Sequence, residues 1–263
     1  MIEIEKTISE WAKNTFSSSS CGYEATIAEL PSAPPFLFTG STGSGFCVTI
    51  KPAQLAARHQ LLGTAVSPLP ATATPPQLGF WIPSSGAPGS QVALREGDDE
   101  IGVSSVQWME FRGHHPISNE DFHLTGEEAL VVNLTDRFHD FRQNHVFGPA
   151  LEDWIESKGF SYSLYRPDII GAEAMEIGIE DWLLVSIELE NQDTAPIILG
   201  ISGRGRAATL FYSDAEVEGG GRGTVEYIEI EQQADGLQTP ADLQDWLEAT
   251  VSPLLATESL ATP

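Results

Sequence analysis

Between Phe138 and Glu190, glycine and proline cut the chain into pieces whose type can be read one by one, and any fold must accommodate that succession. Gly148-Pro149 opens a helix, because proline at the first helical position lacks an N–H that would go unbonded there anyway. Leu151, Trp154, Ile155 and Lys158 share one side of it, and Gly159 ends it as the residue after the C-cap. An earlier helical run, with Leu130, Leu134, Phe138 and Phe141 at helical spacing, ends near Asn144. Thr125 is its expected N-cap, with Glu127 and Glu128 near its positive end. Phe160 to Tyr165 alternates large apolar with small polar residues, the pattern of a half-buried strand. After Arg166-Pro167-Asp168 an irregular link, Gly171 to Ile179, leads to another strand. There Leu183, Val185, Ile187 and Leu189 alternate with Leu184, Ser186, Glu188 and Glu190, which predicts one wet face.

The rest of the chain repeats this mixture. Ile4, Ile8, Trp11 and Thr15 predict an amphipathic helix over 3–15, ended by Ser17 to Ser20. Strands are expected at 22–28, 36–39 and 46–50, with the proline-rich Leu30 to Pro35 linking the first two. Residues 64–90 are rich in Pro, Thr, Ala and Gly. Leu78–Ile82 alone is apolar enough there for a strand, and the region reads as an arm laid over something else. A hairpin of 91–96 with 103–112 across Gly97-Asp98-Asp99 follows, then loop over 113–124. Strands at 196–201 and 207–212 flank a Gly/Arg turn, and Gly219 to Gly223 leads to a strand at 224–231. Thr239-Pro240 caps a last helix with Leu243, Trp246, Leu247 and Val251 on one side, and 256–263 reads as a loose tail. No internal repeat is apparent. Strands outnumber helices, so the fold class expected is α+β, a mixed, mostly antiparallel sheet flanked by a few helices with long loop or arm insertions. The domain reading is a core over 1–191, with an inserted arm and hairpin at about 52–125, then a strand-rich extension over 192–263 ending in a helix.

Charge limits the partners. The 263 residues carry 38 Asp plus Glu against 13 Lys plus Arg, a net of −25, and lysine occurs only at positions 6, 13, 51 and 158. Such a field repels nucleic acid and acidic membranes. It suits a solvated surface, a face for a basic partner, or the wall of a conduit through which DNA slides without specific binding. No apolar run approaches the roughly 18 residues of a membrane span, so no membrane partner is expected. Met1-Ile-Glu-Ile-Glu-Lys6 lacks the basic-then-apolar order of a secretory signal, so the expectation is an intracellular protein or part of an assembly made inside a cell. The two cysteines, Cys21 and Cys47, read as buried free thiols before they read as a disulfide.

Candidate chemistry is thin. Gly40-Ser-Thr-Gly-Ser-Gly45 lacks the Gly-Lys-Ser/Thr ending and following helix of a phosphate loop, and reads as a hairpin loop. Ser202 within Gly200-Ile-Ser-Gly-Arg204 has the second glycine of a nucleophile elbow misplaced and no helix after it. His114, His115, Glu120, Asp121 and His123 are metal-ligand types at spacings that match no zinc pattern, so a solvated polar loop is the plainer reading. Arg204, Arg206 and Arg222 gather positive charge on two glycine loops, suited to an acidic patch of a neighbouring copy or of the same fold. The expectation is therefore of no enzyme activity, with no catalytic, cofactor-binding or metal residues and no cofactor.

Two segments resemble the tail-terminator or neck proteins of tailed phages. One is the opening helix, Ile2 to Phe16, with the proline-rich approach Pro31-Ser-Ala-Pro-Pro-Phe-Leu-Phe38 to a strand. The other is Pro149 to Phe160, a helix ending in Lys-Gly-aromatic, and then Glu180-Asp-Trp-Leu-Leu-Val-Ser-Ile-Glu-Leu189, a strand led by Trp182 beside acids. The resemblance covers about a third of the chain and has no counterpart for 52–125 or for residues after 191. It implies a virion subunit made in the host cytoplasm. Such a subunit is a homo-oligomeric ring at the tail or neck, contacting tail tube, sheath or connector proteins while DNA passes through. The other class open to this composition is a cytosolic acidic inhibitor, of the immunity type, that covers a basic partner. A metal-dependent enzyme using the His114–His123 loop is the third.

Overall fold

Apolar and aromatic side chains spaced for burial in the N-terminal half find one another across a five-stranded antiparallel sheet. The computed structural model describes residues 3–17, 22–37, 43–53, 76–94, 102–115, 120–164, 182–188, 197–216 and 224–259. Strands β1 (Tyr23–Leu30), β2 (Gly45–Pro52), β3 (Gln77–Pro83), β4 (Gly89–Leu94) and β5 (Gly102–Val106) lie side by side in chain order. The register places Phe80 opposite Val48 and Leu78 opposite Ile50, so Val48, Ile50, Leu78 and Phe80 share one face. Helix α1 (Ile4–Phe16) covers that face, as its spacing predicts, with Ile4, Ile8 and Trp11 buried. The Trp11 ring lies 6.3 Å from Phe80, which meets Trp108 edge-on at 5.0 Å. On the opposite face Cys47, Trp81 and Val92 pack with Leu37, carried there by a 3₁₀ turn, Pro35–Leu37.

That turn stands at the start of the strand that the sequence predicts at 36–39, of which 38 and 39 lie outside the described residues. Consecutive prolines at 34 and 35 hold the chain out of strand pairing, and Leu37 serves as a plug over Gly79 instead. The arm reading of 64–90 fails for its described part, 76–90. β3 runs between β2 and β4, and Leu78, Phe80, Trp81 and Ile82 are each 0% exposed. Four such side chains, at about 1.5–3 kcal/mol apiece, offset the ordering of so short a strand. Residues 64–75 lie outside the described residues, as do Gly97 to Asp99 of the predicted hairpin turn. The hairpin itself forms, β4 with β5, but its second strand breaks at Gln107–Met109. The chain resumes as β6 (Glu110–His115), paired with β7 (Glu120–Thr125), where a loop over 113–124 is predicted.

Helix α2 (Glu127–Arg142) buries Leu130, Leu134, Phe138 and Phe141 at the predicted spacing. Gly126, not Thr125, takes the cap position: its carbonyl accepts the Leu130 N–H at 3.0 Å, while Thr125 ends β7. The helix does not stop near Asn144. It passes through one π-helical turn, Gln143–Phe147, into α3 (Gly148–Ser157), so Pro149 sits at the start of a helix entered from another helical turn. Gly159, at φ +80°, closes α3 as expected.

A second sheet follows, again a meander with its strands in chain order: β8 (Ser161–Leu164), β9 (Leu183–Glu188), β10 (Ile197–Ser202), β11 (Arg206–Glu216) and β12 (Thr224–Ala234). α4 (Pro240–Ser259) comes after it. The link 171–179 lies outside the described residues. The wet face expected of β9 is covered through its middle, where Leu184 and Ser186 are buried as well as Val185 and Ile187; Glu188 at its end is exposed, and Leu189 and Glu190 lie outside the described residues. Trp182 and Leu184 close over Gly200 on one face, and Leu183 lies near the start of α3 on the other. α4 is capped as predicted, Thr239 Oγ1 accepting the Asp242 N–H at 3.2 Å while Asp242 Oδ2 accepts the Gln238 and Thr239 N–H groups. Its backbone continues to Ser259, so 256–259 are helix rather than tail, and 260–263 lie outside the described residues.

The fold class is α+β with antiparallel sheets, as expected. Contacts divide the chain into two units, Met1–His114 with Asp121–Phe141, and His115–Glu120 with Arg142–Pro263. The sequence reading draws a boundary at 191/192. β9 and β10, on either side of it, are hydrogen-bonded neighbours in one sheet, Leu199 opposite Val185. Though no repeat is apparent in the sequence, each unit holds a five-stranded meander with helices before and after it.

Candidate functional site

The sequence candidates disperse when placed on these elements. Residues 40–42 of the glycine-rich loop lie outside the described residues. Gly45 begins β2, so a strand follows the loop and it meets no helix N-terminus. Ser202 ends β10, is 4% exposed, and its Oγ accepts the Arg204 N–H at 3.1 Å. The next element is β11, so the serine caps a turn where an elbow would need a helix.

His114 and His115 end β6, while Glu120, Asp121 and His123 lie on β7. Strand alternation puts Asp121 and His123 on one face and Glu120 on the other, with Phe122, whose ring lies 6.0 Å from Phe111. Among the described residues no group of three or more His, Cys, Asp or Glu is arranged to hold a metal ion. Arg206 meets an acid of its own fold: Nε pairs with Asp235 Oδ1 at 2.9 Å and the guanidinium lies 5.2 Å from the centre of the Trp182 ring. Arg204 is exposed, and Arg222 lies outside the described residues. Cys47 is a buried free thiol, its pKa pushed up by burial against a weaker downward pull from Thr49; Cys21 lies outside the described residues.

Polar side chains that sequence reasoning passed over hold the loops. Asn133, 5% exposed, donates from Nδ2 to the carbonyls of Gln107, Trp108 and Glu110 at 3.0–3.1 Å, fixing the break between β5 and β6. Arg142, equally buried, donates from Nη2 to Leu237 O at 2.7 Å and stacks 4.8 Å from the Phe147 centroid. Glu248 on α4 gathers Lys158 at 2.7 Å, the Trp154 indole at 3.0 Å and Ser252 at 2.7 Å. The Lys158 hydrogen bond, then Ser252, holds its carboxyl below the usual range against the opposing effect of burial, with Trp154 adding to the lowering. These arrangements brace the scaffold.

One surface has the makings of a contact. β8 is the terminal strand of its sheet, and its Leu164 is 57% exposed. On α3 beside it, Asp153 and Glu156 are exposed and Glu152 is half-buried. Partial burial, then the charges of Glu152 and Glu156, hold the Tyr162 phenol above its usual range. Its hydrogen bond to the Glu152 carboxylate and the charge of Asp153 act the same way. The signal was present as Glu152-Asp-x-x-Glu156, three acids at helical spacing ahead of a strand with no charge.

Comparison with protein families, with curated proteins and with solved structures finds no match to this chain. Among the described residues, no helix is long and apolar enough to cross a membrane.

Proposed function

We propose that the chain is a non-enzymatic assembly subunit, of the kind that forms a tail-terminator or neck ring in a tailed phage and joins tail to head. The observation that carries this reading is the succession α3, Gly159, β8 and then β9 behind Trp182, the order of elements that the resemblance implies for 149–189. The net charge of −25 supports it, because an acidic wall lets DNA pass without counterion release holding it. The subunit's partners are then its own copies and the neighbouring tail tube, sheath or connector proteins, and its place is the virion. Electron microscopy and mass photometry of the purified chain, alone and with tail proteins, should show closed rings. A strict monomer indifferent to tail components overturns the reading.

A second reading, an acidic protein that covers a basic partner, is favoured by the exposed carboxylates of Asp153 and Glu156 beside an edge strand. It calls for one basic partner at equal stoichiometry, captured at a rate that falls steeply with salt.

A further inference from the structure

We propose that β8 is a docking edge: an extended, basic segment of a different protein adds beside it as a sixth strand of the second sheet. The inference rests on the binding role common to both readings above. Among the described residues β8 pairs with β9 alone, Ser161 opposite Glu188 through Leu164 opposite Val185, and no described strand takes its outer edge. Ser-Tyr-Ser-Leu carries no lysine or proline, the residues that usually guard an edge against pairing. Strand addition of this kind draws affinity from the main chain and specificity from alternate side chains.

The side chains state what the incoming strand must be. Tyr162 and Leu164 stand on the same face of β8, the one that faces α3. Glu152, Asp153 and Glu156 surround the Tyr162 end, and none of the three has an ion-pair partner among the described residues. A segment laid along β8 therefore meets carboxylates beside Tyr162 and an exposed apolar side chain beside Leu164. A Lys or Arg followed two positions along by an apolar residue satisfies both. This chain, with 13 basic residues against 38 acids, is a poor source of such a segment, so the occupant is a basic partner and not a second copy.

The test is a short, end-capped peptide alternating lysine and valine, titrated into the full chain and followed by hydrogen exchange and fluorescence anisotropy. Amides of 161–164 should slow on binding while those of β5, the uncharged edge of the first sheet, do not. N-methylating alternate peptide residues, which removes the pairing N–H groups, should weaken binding by about tenfold or more. The combined variant Glu152→Gln, Asp153→Asn and Glu156→Gln, confined to the surface of α3, should weaken binding and flatten its salt dependence. No added slowing at 161–164, protection that appears on β5 instead, or equal binding by the triple variant overturns the proposal. If assembly partners are captured with 161–164 exchanging as before, the edge assignment falls and the assembly reading stands. Peptide bound at β8 with no assembly partner captured leaves the edge and removes that reading.

Discussion

Asn133 holds three backbone carbonyls with one amide group, and the sign of that interaction can be tested by a single-atom exchange. Asn133→Ala leaves buried acceptors without their donor and should cost about 2–3 kcal/mol. Asn133→Asp is nearly the same size but turns the donor into an acceptor facing carbonyl oxygens, so it should be the more damaging of the two. Urea unfolding of both variants, with unchanged slope, measures the order. An asparagine in mid-helix reads from sequence as a weak helix former facing water; its task depends on where Gln107–Met109 arrives, more than twenty residues earlier. Arg142 escaped notice for the same reason, since its acceptor Leu237 lies 95 residues away. Long-range polar contacts leave no periodic trace, whereas apolar spacing in α1, α2 and α3 does, which is why those helices were legible.

At the scale of elements, burial on two faces explains most of what the sequence concealed. β3 has apolar residues at consecutive positions, 80 to 82, so no alternation marks it, and its proline-rich surroundings suggest an arm. Its place between β2 and β4 predicts slow hydrogen exchange at 78–82 in the isolated chain, among the slowest in the molecule. Fast exchange there would return the segment to the arm reading. β9 misled in the opposite sense. Its polar Ser186 marked a wet face that the fold in fact covers. The pairing of α3 with α4 through Glu248 makes a pH prediction. Its carboxyl titrates below its ordinary value of 4.5 in the folded chain, so the stabilisation is complete above that value and is lost as pH falls beneath it. Glu248→Gln should therefore lower stability at pH 7 and flatten its acid limb. The effect should stay below about 1 kcal/mol, because the side chain is 51% exposed. Thermal melts of both proteins across the acid range check it.

For the molecule as a whole, the excess of acids sets a salt dependence. A chain of net −25 repels itself when folded, and raising ionic strength from about 0.01 M to about 0.15 M shortens the screening length from about 30 Å to about 8 Å. Tm should rise over that interval in sodium chloride. A falling Tm would mean that pairs such as Arg206–Asp235 and Lys158–Glu248 outweigh the repulsion. The α+β class and the mostly antiparallel pairing were readable from the ratio of strand to helix signals. The place of the division between the two units was not, because Phe141 and Arg142, on either side of it, lie in one continuous helical run that carries no break in the sequence pattern.

Meanders impose an order of events on synthesis. In both sheets every strand pairs with its predecessor in the chain, Tyr23 with Pro52, Gln77 with Leu94, Leu199 with Val185, so each pairing can close as soon as its second strand leaves the ribosome. The first sheet is complete by Val106, but Tyr23 on β1 waits for Phe138, whose ring lies 6.0 Å away, and Trp11 for Thr135, the other end of a hydrogen bond spanning 124 residues. Until α2 emerges, that half-made unit presents part of its apolar face to solvent, and this is the interval in which a chaperone or aggregation would find it. Each meander has a helix made before its first strand, α1 for the first and α3 for the second, so each is born with part of its cover in place.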